Sequence, residues 1–209
     1  HTLKSTDIIK KKEIERKYTM EGKTVVILRT SSVARIPVYQ HLKAQGLRMI
    51  VVHPFTNQNF EGIFDHWFLH DTHDVDALQK YLAVRLDELN IVPDAIISFD
   101  EYAVYPASVL AERLCMRSIP LPPADMHVTN VKSKFREWCY EFGLGAPKSH
   151  PIYHRDVDLA DELAELEYPV VLKPSPGAGS LLAKFCANEE EATEHMLKMF
   201  DVLEVHPDV

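Results

Sequence analysis

The feature that most constrains this chain is a set of apolar runs that do not alternate. KTVVILRT (23–30), LRMIVVHP (47–54) and PDAIISFDE (93–101) are continuous and rich in β-branched residues. A strand with one wet face reads apolar, polar, apolar; an unbroken run implies a sheet covered on both faces. Helical patterns lie between the runs. VARIPVYQHLKAQG ends in Gly46, and DVDALQKYLAVRLDELN (74–90) sets Leu78, Leu82 and Leu86 on one face with Asn90 as its stop. FDHWFLHD (64–71) reads as a further short strand, and YPASVLAERLC (105–115) as a helix. Such alternation predicts an α/β unit with a Rossmann-like parallel sheet and helices on both faces.

The pattern then changes. SIPLPPADMHVTN (118–130) reads as a proline-punctuated connector, and VKSKFREWCYEFG (131–143) as a helix closed by Gly143. KSHPIYH predicts a strand, DVDLADELAELE a helix with Asp156 or Asp158 near its start, YPVVLK and SLLAKFCAN two strands, and EEEATEHMLKMF a helix. That is a small α+β subdomain. The expected division is 1–22 as a charged helix or linker, with six Lys/Arg and four Asp/Glu, then 23–125, a connecting helix over 126–147, and 148–209.

With 31 acidic against 23 basic residues, net charge −8, the chain has no general attraction to nucleic acid or an anionic membrane. Its three cysteines are scattered and form no CxxC, which predicts a reducing compartment. No apolar run approaches the roughly 20 residues of a membrane span, so the expected location is cytoplasmic. A polyanionic ligand needs local cations in such a chain. YPVVLKPSPGAGS (168–180) offers one, and it holds three of the thirteen prolines and two of the seven glycines. Strand period puts Val170 and Leu172 on one face, Val171 and Lys173 on the other, so Lys173 leaves the apolar layer where the loop begins. Gly177 and Gly179 permit positive φ, which lets successive amides turn toward an anion. Two readings stand on these residues: a polyphosphate grip, or a hairpin turn after a strand-end lysine. The loop exceeds the usual two-to-five-residue hairpin connection. It is no Walker A loop, because the lysine precedes the glycines. RTSSVAR after the first run lacks GxGxxG, and His53 rather than an acid ends the second, which disfavours a nicotinamide dinucleotide.

NVKSKFREWCYEFGLGAPKSHPI, followed some twenty residues later by YPVVLKPSPGAGS, resembles the start of the ATP-grasp superfamily. The matching positions, in order, are Lys132, Arg136, Gly143, Pro147, Pro169, Lys173, Pro174, Gly177, Gly179 and Ser180. The preceding FDEYAVYPASVLAERLCMRSIPLPPADMHVTN resembles the end of the Rossmann-like domain that comes before the ATP-grasp fold, including the acid Glu101. The resemblance runs over about 23–200. It implies that Lys132 and Lys173 contact ATP near its α/β-phosphates and adenine edge. It also implies that Ser175, Gly177, Ala178, Gly179 and Ser180 close over the β/γ-phosphates as a lid. Glu101, at the carboxyl end of a strand where α/β sheets place ligands, reads as a candidate substrate or interdomain residue. The implied activity is a ligase that activates a carboxylate as an acyl phosphate and joins it to an amine. An amino-acid ligase of the carnosine-synthase-like kind is the preferred branch, with a biotin-carboxylase or carbamoyl-phosphate-synthase type as rival. A non-catalytic nucleotide-binding or docking domain is the alternative from another class. The expected partners are small carboxylates and amines and the remainder of the ATP-grasp domain, with a homo-oligomer left open.

Leu181, Leu182 and Ala183 stand where many members place a Gly-Val pair. The family's Mg²⁺-binding acids and Asn, its adenine hinge and its acyl-phosphate arginine follow the glycine loop at a distance. The catalytic residues and the Mg²⁺ ligands are therefore expected beyond Val209, and catalysis by these 209 residues alone is not expected. Lys132 also reads as a solvated helix lysine beside Lys134. His66, His70 and His73 gather near three aspartates, and His150 and His154 share a strand face, but the turn and the exposed edge suit a surface better than a metal site. ELAELE and EEEATE read as solvated helix faces, and Cys139 as core-facing.

Overall fold

The computed structural model describes residues 20–116, 121–152, 159–175, 177 and 179–205. The charged segment up to residue 19, the strand expected through His154, both Asp156 and Asp158, and Ala178 of the glycine loop lie outside the described residues. Two compact units divide the chain, His1–Leu121 and Pro122–Val209.

In the first unit β1 (Thr24–Leu28), β2 (Arg48–His53), β3 (His66–Leu69) and β4 (Ala95–Ile97) form one parallel sheet in the order β3-β2-β1-β4. Among the described residues of this unit the α-helices are α1 (Ile36–Ala44), α2 (Val75–Glu88) and α3 (Val104–Arg113). The period of two sorts the side chains between two cores. Val26, Leu28, Ile50, Val52 and Ile96 pack with Leu78, Leu82 and Leu86 of α2 and with Ala107, Leu110 and Ala111 of α3. Val25, Ile27 and Met49 face the other way, against Tyr39 of α1, Phe60 and Ile63. Both faces are dry, which is why β1 and β2 carry no alternation. Each fully buried aliphatic or aromatic side chain contributes about 1.5–3 kcal/mol.

Local chemistry starts the helices. The Asp74 carboxylate accepts from the amides of Asp76 (3.0 Å) and Ala77 (2.9 Å), satisfying orphan donors at the start of α2. The expected helix from Val33 begins as a 3-10 turn, Val33–Arg35, and becomes α-helical at Ile36, with Pro37 in its first turn. The step from β3 to β4 carries the chain to the far side of β1. The sheet's topological switch point therefore lies at the carboxyl ends of β1 and β4, the place where open α/β sheets form a crevice.

The second unit holds α4 (Pro123–Asn130), α5 (Lys132–Glu141), α6 (Leu159–Ala164), β5 (Val170–Leu172), β6 (Lys184–Cys186) and α7 (Glu189–Val205). β5 and β6 pair antiparallel, Val171 opposite Phe185. Leu172 and Cys186 turn inward onto Leu163 of α6 and Ala192, Met196 and Met199 of α7. Three local expectations are corrected. The connector 118–130 becomes helical at Pro123, because proline at a first helical position lacks only an amide that would be unpaired there. Residues 146–152 form no strand. β6 is confined to three residues because Ser180 (φ 59°) and Leu182 (φ 58°) adopt left-handed backbone incompatible with a strand. Among the described residues no helix is long and apolar enough to cross a membrane.

Candidate functional site

Helix α5 begins without a cap of its own. Its N-cap position is Val131, extended and with no side-chain oxygen, so the first amides need acceptors from elsewhere. The glycine loop supplies them. The Ser175 carbonyl accepts from the Lys132 amide (3.1 Å), and the Ser175 hydroxyl accepts from the Ser133 amide (3.1 Å) and pairs with the Ser133 hydroxyl (2.7 Å). Residue 175 thus caps a helix that starts 43 positions earlier.

The Lys132 side chain completes this clasp. Half-buried, its ammonium donates to the carbonyls of Ser175 (3.3 Å) and Gly177 (2.5 Å). Lys132 is therefore a loop-organising cation rather than a solvated helix lysine like its neighbour Lys134, whose ammonium pairs with His127 (2.7 Å). Beyond the clasp the backbone is left-handed at Gly177 (φ 115°), Gly179 (φ 66°) and Ser180 (φ 59°). The first of these conformations is open essentially only to glycine. Gly179 and Ser180 are exposed.

Lys173 follows β5 on the face opposite Leu172. It is exposed and has no hydrogen-bond or ion-pair partner among the described residues. On the same face Val171 (60 %) and Phe185 (62 %) are largely open. One charged lysine beside a small apolar platform and a loop of small residues is an arrangement suited to a flat ring carrying phosphates. The donor set fits a nucleoside polyphosphate: ammonium groups, hydroxyls and glycine-permitted amides, with no carboxylate among the loop residues.

The other residues of the family pattern serve the frame. Gly143 (φ 65°) ends α5, with the Leu144 amide donating to the Cys139 carbonyl (2.8 Å). The Tyr140 hydroxyl donates to the Pro147 carbonyl (2.5 Å), holding the chain that leaves the helix. Cys139 is buried. Burial also pushes the Cys186 thiol above its usual range, so it is a packing group rather than a nucleophile.

Glu101, in the first unit, is exposed in the turn between β4 and α3. The histidines have partners or packing of their own: His66 Nε2 lies 3.0 Å from the Arg48 guanidinium, His70 stacks on Tyr81 (4.4 Å), and His150 engages Glu162. Among the described residues no group of three or more His, Cys, Asp or Glu is placed to hold a metal ion. Sequence reasoning missed Ser133. The signal available was Val131, a β-branched residue without an oxygen, at a helix start.

No family model matches the chain, and no curated protein matches it. Solved structures do. An L-amino acid ligase from Bacillus licheniformis superposes with a TM-score of 0.73 at 19 % identity, over 89 % of this chain and 43 % of that one. The biotin carboxylase domain of a Hydrogenobacter thermophilus 2-oxoglutarate carboxylase, bound to MgADP, ADP and bicarbonate, gives 0.61 at 19 % identity, over 87 % and 41 %. N5-carboxyaminoimidazole ribonucleotide synthetase from Thermotoga maritima gives 0.60 at 16 % identity, over 82 % and 43 %. At such identities the likeness is one of fold, and the chain spans less than half the length of these proteins. Over that span the chain shares the fold of these three structures.

Proposed function

We propose that this chain is part of an ATP-grasp ligase that joins a small carboxylate to an amine, and that its second unit grips the nucleotide. The observation that carries the reading is the clasp: Lys132 and Ser175 organise the glycine loop, and Lys173 stands exposed beside it with no partner among the described residues. In this reading Lys132 and Lys173 neutralise phosphate charge. Ser175, Gly177, Ala178, Gly179 and Ser180 form the cover, and Glu101 is kept as a substrate-facing candidate. Bound ATP supplies a transferable γ-phosphoryl group that turns a carboxylate into an acyl phosphate. This chain's residues bind, orient and exclude water, which is most of what phosphoryl transfer asks of a protein. Mg²⁺ is assigned to acids outside these residues. The functional division is 23–125 as the preceding Rossmann-like domain, 126–147 as connection, and 148–209 as the first part of the ATP-binding domain. An amino acid is the favoured carboxylate, a preference supported by the L-amino acid ligase that superposes at 0.73.

The test is a calorimetric titration of the 209-residue chain with ATP and with Mg·ATP. A charge-assisted contact is worth about 1.5–3 kcal/mol, so Lys173→Ala should weaken binding roughly 10- to 150-fold. Gly179→Pro should also weaken it. Equal affinity in wild type and Lys173→Ala would remove this lysine from the site, and no binding even at millimolar ATP would favour a docking domain.

A further inference from the structure

The side of α7 that packs on the hairpin is apolar at Ala192, Met196 and Met199, and the helical period calls for another apolar residue beside Met196. The sequence places His195 there, 9 % exposed. A buried imidazole N–H is unfavourable unless it finds an acceptor. The acceptor it finds lies outside that core: His195 Nε2–H donates to the Leu182 carbonyl (2.8 Å), in the stem that joins the glycine loop to β6.

That stem contains a turn its own residues do not favour. The Ala183 amide donates to the Ser180 carbonyl (3.1 Å), so Ser180, Leu181, Leu182 and Ala183 form a four-residue turn whose third residue, Leu182, is left-handed at φ 58°. Turns with positive φ at the third position ordinarily carry glycine or asparagine there. A leucine persists in such backbone where its surroundings hold it. Two contacts do so here: the Leu182 side chain packs against the core of the second unit, and its carbonyl is taken by His195. The first residue of the turn is Ser180, itself left-handed (φ 59°) and exposed, with Gly179 (φ 66°) before it. The glycine loop is therefore moored twice, at Ser175 by the start of α5 and at Leu182 by α7.

We propose that His195 is a positioning residue for the nucleotide: it acts through Leu182 to hold Gly179 and Ser180 in the conformation that meets the phosphates, and this rests on the reading of the loop as an ATP site. His195 touches no ligand in this role. Its hydrogen bond does for Leu182 what a glycine at the same place would do by lacking a Cβ, and it does so from a helix, a rigid element. Ordering the turn before ATP arrives spares the nucleotide part of the entropy of fixing it.

The experiment titrates the 209-residue chain and two variants with ATP and with AMP, following the amides of residues 179–183 by NMR. His195→Leu keeps an apolar side chain of similar bulk and removes the donor; His195→Gln keeps an N–H at similar reach. A neutral hydrogen bond is worth about a three- to tenfold change in an equilibrium constant. His195→Leu should weaken ATP by that factor, and His195→Gln should restore it. AMP, which lacks the β- and γ-phosphates, should bind all three proteins alike, a result that general damage to the unit would not give. In His195→Leu the amides of 180–183 should shift before any nucleotide is added. Unchanged ATP affinity in His195→Leu, an equal loss for AMP, or no recovery in His195→Gln would each overturn this role while leaving the ATP reading in place. No ATP binding by the wild type would overturn both. If His195→Leu does not fold, His195→Asn, too short to reach the carbonyl, takes its place against His195→Gln.

Discussion

Replacing Ser175 by alanine removes one oxygen and two of the contacts of the clasp: the bond from the Ser133 amide at 3.1 Å and the hydroxyl pair at 2.7 Å. The first is an N-cap bond supplied from a distance, and loss of a cap costs about 0.5–2 kcal/mol. The second is a half-buried neutral hydrogen bond worth about 0.5–1.5 kcal/mol. Because alanine leaves Ser133 without its partner for both donors, the sum should fall near 1.5–2.5 kcal/mol. In a unit of this size each kcal/mol moves the midpoint by roughly 4–8 °C, so the second unit should melt about 6–20 °C lower. Amide exchange provides the site-specific readout. The Ser133 amide should lose protection, whereas the Lys132 amide, which bonds the Ser175 carbonyl (3.1 Å), should keep most of its own. Ser133→Ala with Ser175→Ala closes a double-mutant cycle whose coupling should be about 1 kcal/mol. A midpoint within 2 °C of wild type (~2 °C, under 0.5 kcal/mol) together with unchanged Ser133 protection would refute the clasp.

Two further outcomes concern the first unit. Burial, reinforced by the Arg29 charge, holds the His53 pKa below its ordinary 6.5, so the folded state binds fewer protons than the unfolded one near that pH. Its contribution is complete above about 6.5 and is lost as pH falls toward the folded value; thermal melts from pH 7.5 to 5 should show a stability loss that His53→Gln reduces, and an unchanged slope would contradict it. Leu82→Ala, at the fully buried centre of the α2 face, should cost about 2–5 kcal/mol, read as a fall in the urea midpoint at constant slope.

The sheet was legible because β1 and β2 are covered on both faces and therefore read as continuous β-branched runs. Leu78, Leu82 and Leu86 marked α2 by spacing, with Asn90 as its stop. The candidate nucleotide loop was legible in composition, from Lys173 to Ser180. What held it in place was not. The partner of Ser175 is 42 positions away and depends on Val131 failing to cap its own helix, a conflict that periodicity does not register. Helix α4 was missed because Pro122 and Pro123 punctuate the chain whether they open a helix or prevent one.

The clasp also sets a length. Eight residues separate Ser175 from Lys184, where β6 resumes. At about 3.5 Å per residue, a segment tethered at both ends carries its midpoint no further than roughly 14 Å from its moorings. Whatever the loop covers must lie inside that radius of the amino end of α5. Lengthening the tether by inserted residues after Ser180, with the moorings intact, would enlarge the territory without touching the grip.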